Sequence, residues 1–113
     1  MAKTIHALET EIEAIKRQLV SLGDLRPGSL SQQYNVCGNP SCRCKGDPPR
    51  KHGPYYQLSF TRKGRSRTQF IRKQHVVTVR KQMKNYHRLR NLVDRWIELS
   101  AQLCQRKMER ETG

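Results

Sequence analysis

Three cysteines and a histidine fall within sixteen residues, Cys37, Cys42, Cys44 and His52, at the spacing C-x4-C-x-C-x7-H. Three thiolates and an imidazole make a complete tetrahedral zinc shell. Gly38, Pro40, Gly46, Pro48, Pro49, Gly53 and Pro54 lie among them, so no regular helix or strand runs through the stretch. Little apolar surface is available to order it, and a metal is the simplest organiser. In this reading Gly38 and Pro40 make the turn that returns Cys42 to Cys37. Gly53 lets the backbone pass close to the metal, and Pro54 starts an extended run.

The competing readings are disulfides and ordinary buried cysteines. Three clustered cysteines leave one unpaired, and Cys42 and Cys44 are too close to bridge comfortably. Residues 1–25 are amphipathic and carry Glu9, Glu11 and Glu13, unlike a secretory leader. A cytoplasmic, reducing setting is the expectation, and there such clusters bind metal more often than they oxidise. His75 is the reserve fourth ligand. Cys104 reads as a small, half-buried helix residue.

With 113 residues there is room for one domain, or for a small head on a helical stalk. No apolar run approaches membrane-spanning length. The net charge of +14 is unevenly placed. Residues 26–90 hold sixteen Lys or Arg and one acid, Asp47, whereas the rest of the chain is nearly balanced. So dense a basic block repels itself unless an anionic partner offsets it.

The expected architecture is α+β: an N-terminal helix (1–27), a zinc loop with a two-stranded hairpin (28–73), and a long C-terminal helix (74–113). Ile5, Leu8, Ile12, Ile15, Leu19 and Leu22 alternate spacings of three and four, an a/d seam over about three heptads. Thr4 is placed to cap it, and Gly23 and Pro27-Gly28 to end it. Such a stripe needs a partner, in this chain or on another copy. Residues 28–34 read as a short connection, with Leu30 and Tyr34 seating the loop on the helices. Tyr56, Leu58 and Phe60 alternate with Tyr55, Gln57, Ser59 and Thr61, a strand with two distinct faces. A turn at residues 62–66 leads to a returning strand. From Gln74 to Thr112 there is neither Pro nor Gly. Val76, Val79, Met83, Tyr86, Leu89, Val93, Trp96 and Leu103 form a stripe, flanked by Leu92 and Leu99. The simplest packing is an antiparallel pair of the two helices, with Ile5, Leu8, Ile12, Ile15, Leu19, Val93, Trp96 and Leu103 at its interface. The same residues are the candidates for a homodimer or a protein partner.

The candidate nucleic-acid contacts are Arg43, Lys45, Arg50 and Lys51 around the loop, and Arg62, Lys63, Arg65 and Arg67 at the hairpin tip. Arg72, Lys73, Arg80, Lys81 and Lys84 continue them into the helix. Four positives with no acid nearby favour a phosphate-seeking tip over a merely solvated turn. Catalysis is not expected. One carboxylate in residues 26–90 cannot assemble a nuclease's metal pair, and a closed zinc shell has no open position. Two binding readings remain. In the favoured one, basic side chains grip double-stranded DNA. In the other, Tyr34, Tyr55 and Tyr56 stack on unpaired RNA bases within a ribonucleoprotein. The low aromatic count, explicable as packing, weighs against stacking. An acidic protein partner is a third, blander reading.

Gly28-Ser29-Leu30, Tyr34, Cys37-Gly38, Cys42, Cys44, His52-Gly-Pro-Tyr55, a hairpin with a central Gly, and Asn85-Tyr86-x-Arg88-Leu89 resemble a family of small bacterial and archaeal proteins of unknown function. The resemblance covers roughly residues 28–100. It implies the same zinc ligands, a long helix after HGPY and an association with mobile elements, but no activity; the DNA reading suits an accessory or regulatory factor of such an element. The N-terminal heptads and the high charge lie beyond that pattern.

Overall fold

The computed structural model describes residues 3–112. In chain order it contains helix α1 (Ile5–Val20), strands β1 (Ser29–Asn35), β2 (His52–Arg62) and β3 (Arg65–Ile71), and helix α2 (Val76–Thr112). Short 3-10 turns lie at Arg43–Lys45 and Lys73–His75. The architecture is α+β, as expected, and the chain divides into two compact units. One comprises the N-terminal 25 residues with Lys84–Gly113, and the other comprises Arg26–Met83.

In the first unit Thr4 caps α1, its hydroxyl accepting from the Ala7 N–H at 3.1 Å. The a/d seam finds its partner inside the chain. Leu8, Ile12 and Ile15 are buried with Leu92 and Leu99 of α2, and Leu19, Leu22, Trp96 and Leu103 close around them. Polar contacts fix an antiparallel register. The Asn85 side chain donates to the Asp24 carbonyl at 2.7 Å, Arg88 donates to Gln18, and Arg95 pairs with Glu11 at 3.4 Å. Cys104 is exposed, not half-buried, and packs on nothing in this core.

The second unit is built on a three-stranded antiparallel sheet, order β1-β2-β3. The hairpin is therefore not alone, because residues read as a connection form a third strand. Leu30 pairs with Leu58, and Ser29–Gln33 continue the ladder against Tyr55–Ser59. A single inward apolar side chain, Leu30, was too little to mark β1 as a strand by alternation. Lys63 (φ 51°) and Gly64 (φ 75°) form the two-residue turn that joins β2 to β3. Two positive φ values match the twist of the flanking strands. The turn sets the register, with Arg62 opposite Arg65 and Gln57 opposite Phe70. Leu58, Ile71, Val76 and Val79 form the buried core, and Leu30, Tyr56, Phe60 and Met83 pack against it. The first turns of α2 thus cover one face of the sheet. Tyr34 is 51% exposed and accepts a hydrogen bond from Gln32, so it does not plug the loop onto a helix.

Candidate metal centre and basic surface

The loop of residues 36–51 leaves the sheet after Asn35 and rejoins it at His52, and those two residues are a ladder pair. Cys37 lies two residues beyond the end of β1, and His52 opens β2. The sheet therefore brings the first and last members of the C-x4-C-x-C-x7-H array together. Within the loop the Asn39 side chain accepts from the Ser41 N–H at 3.0 Å and from the Ser41 hydroxyl at 2.8 Å. The Cys42 N–H reaches the Asn39 carbonyl at 3.2 Å. This Asx turn carries Cys42 back towards Cys37. The sequence assigns that task to Gly38 and Pro40; Pro40 lies within this turn, whereas Gly38 has ordinary φ and open space around it. The 3-10 turn at Arg43–Lys45 then buries Cys44.

Gly53 makes a close approach of its own to β1. Its φ is +137°, and a Cβ there would sit 2.7 Å from the Gln33 carbonyl oxygen, at the irregularity between Gln33 and Asn35.

Cys37, Cys42, Cys44 and His52 each offer one ligand atom, and all four atoms lie within 4.8 Å of one another. The Cys37 and Cys44 sulfurs are 3.5 Å apart, and the Cys42 sulfur is 3.2 Å from His52 Nε2. Tetrahedral zinc with ~2.3 Å bonds to sulfur and ~2.0 Å to nitrogen has ligand edges of roughly 3.5–3.8 Å. The four residues could therefore hold a metal ion. The Cys37 N–H also donates to Cys44 Sγ at 3.3 Å. His75, the reserve ligand, is exposed in the 3-10 turn before α2 and is not in the cluster.

The thiols are unequal. A hydrogen bond from the Cys44 backbone, reinforced by the Cys44 and Cys37 thiols and the His52 ring, pulls Cys42 down to about 6. The shift favours the thiolate at Cys42, the form in which cysteine binds metals. For Cys44 the Cys37 N–H pulls downward, but burial and the neighbouring thiols outweigh it and hold the group above its usual value. A bound cation would reverse that balance.

All thirteen candidate nucleic-acid residues are exposed. Arg62, Lys63, Arg65 and Arg67 surround a shallow depression with Phe60 at the hairpin tip. Arg43, Lys45, Arg50 and Lys51 decorate the metal loop, Arg72 and Lys73 follow β3, and Arg80, Lys81 and Lys84 start α2. Among the described residues the ion pairs join α1 and α2, lie within one of them, or link Lys3, just before α1, to Glu11. None involves residues 26–83.

The chain belongs to the family described as Domain of unknown function (DUF6788), whose model matches residues 5–81. No curated protein and no solved structure was found to match the chain. The match begins at the first residue of α1, so the N-terminal helix lies within the family pattern rather than beyond it.

Proposed function

Because membership of an uncharacterised family brings no activity with it, we propose from the chain's own chemistry that this is a nucleic-acid-binding protein with a structural zinc. The observation that carries this reading is the separation of charge. Among the described residues the ion pairs lie outside the sheet unit, whose cations, apart from half-buried Arg26, are exposed, and all of which lack acidic partners. Closely spaced cations without counter-charges are stabilised by a polyanion, and phosphates supply that charge regularly. The hairpin tip is the foremost contact. Zinc suits three thiols and an imidazole, and four protein donors fill its tetrahedral shell. Its task is then to order the loop, contributing on the order of 10–16 kcal/mol, and the role is binding rather than catalysis.

The tip can grip either a duplex or a single strand. With the aromatics assigned to packing, the sequence favours double-stranded DNA. Tyr34, Tyr55 and Phe70 are in fact 51%, 37% and 58% exposed, which favours an unpaired strand. The association with mobile elements that the family resemblance implies accommodates both.

Native mass spectrometry of the protein from its own host, without nuclease treatment, tests the reading. The expected result is one zinc per chain with nucleic acid that dissociates as salt is raised. A metal-free chain that ignores nucleic acid at low salt contradicts it. The same spectrum gives the copy number. A homodimer through the α1 seam would require its buried residues to exchange their intrachain partners.

A further inference from the structure

Beside the edge strand β3 lies an open cleft of about 390 Å³ within the sheet unit. Arg26, Arg72 and His75 line it together with Phe70 and Gln82, and none of its lining residues is acidic. Two guanidiniums without a carboxylate suit a phosphate, which Arg can hold bidentately. Phe70 links the cleft to the outward face of the sheet. It is 58% exposed, and its ring lies 6.4 Å from that of Tyr55, at 52°. A third base-sized ring can extend such a tilted pair. On the same face the Gln33 side chain donates to Gln57 at 3.0 Å, giving a polar floor beside the aromatics.

We propose that this cleft and the Phe70–Tyr55 pair form a site for one unpaired nucleotide of a single strand. The base stacks on Phe70, and the adjoining phosphate lies between Arg26 and Arg72. The inference rests on the nucleic-acid reading above and deepens it. It separates two tasks: the hairpin tip grips phosphates of any strand, whereas this cleft requires a base free of its partner.

The test uses the full, zinc-loaded chain and fluorescence anisotropy with labelled strands of about twelve nucleotides, single-stranded and duplex, DNA and RNA. The single strand binds more tightly than its duplex. Phe70→Ala weakens single-strand binding about tenfold and leaves duplex binding within about twofold. Phe70→Leu, which keeps an apolar side chain on the strand but removes the ring, has the same effect. Arg26→Gln with Arg72→Gln weakens single-strand binding and flattens its salt dependence. A strand carrying 2-aminopurine changes fluorescence on binding, and Phe70→Ala abolishes that change. If these variants leave single-strand binding intact while neutralising the hairpin tip weakens it, the cleft is not the site and the nucleic-acid reading stands. Equal binding of duplex and single strand, with Phe70→Ala neutral, likewise overturns the cleft alone. Absence of salt-dependent binding to every strand overturns both.

Discussion

At Gly53 the backbone adopts φ +137° with the Gln33 carbonyl against the position a Cβ would take. Gly53→Ala therefore meets both strain and a clash at the mouth of the metal loop. A loss of about 1–3 kcal/mol is expected, read as a lower denaturation midpoint of the zinc-loaded protein. An unchanged midpoint would show that β1 and β2 can separate there without cost. Cys42→Ser removes the thiol that is most readily a thiolate. Zinc affinity should fall at least tenfold in competition with a chromophoric chelator, and Cys104→Ser, at an exposed position on α2, should leave it unchanged. The clustering of Cys37, Cys42, Cys44 and His52 was legible in the sequence because spacing and residue chemistry are local properties. The device that turns Cys42 back was not. Asn39 does this with its side chain, and an Asn inside a Gly- and Pro-rich stretch looks like any other loop residue.

The helices and the hairpin follow from period and turn chemistry, and both can be probed element by element. Leu99, 1% exposed, is a central contact of α2 on α1. Leu99→Ala should cost about 2–5 kcal/mol in the thermal or denaturant unfolding of the helical unit. Glu11 is held below its ordinary range by its hydrogen bond with Lys3 and by Arg95. A carboxylate depressed in the folded state stabilises fully above its unfolded value and loses that contribution as pH falls through the folded one. Wild type and Glu11→Gln should thus differ in stability near neutrality and converge in acid. A gap that persists in acid would mean that Glu11 acts through packing. At the hairpin, replacing Arg62, Lys63, Arg65 and Arg67 with Gln should weaken nucleic-acid binding and flatten its dependence on salt, measured by anisotropy. Strand β2 was readable from its alternation. Strand β1 was not, since Ser31, Gln32 and Gln33 signal no face. The outward position of Phe70 was latent in the sequence. Once Lys63-Gly64 is taken as a two-residue turn, Phe70 must pair with Gln57, already on the outward face. Reading the turn loosely, over residues 62–66, concealed that register.

Over the whole molecule the two compact units draw on different sources of order. The helical unit buries leucines and isoleucines along a continuous seam. The sheet unit has four buried apolar residues in its core cluster, and its loop gathers four potential ligand atoms. Chelation should therefore expose the amides of residues 29–71 to rapid hydrogen exchange while the helical far-ultraviolet signal of α1 and of α2 beyond Lys84 persists. Full retention of protection in the sheet after metal removal would contradict a structural role for the ion. No described helix is long and apolar enough to cross a membrane.

The ladder pair Asn35 and His52 has a consequence for how such chains can diverge. The excursion between them departs and returns at one rung of the ladder, like a bracket closed on itself. Residues gained or lost between Cys44 and His52 would change its circumference without sliding either strand. Its length is thereby uncoupled from the register of the sheet, and the same four ligands can be carried, lengthened or transplanted as a cassette onto another antiparallel pair.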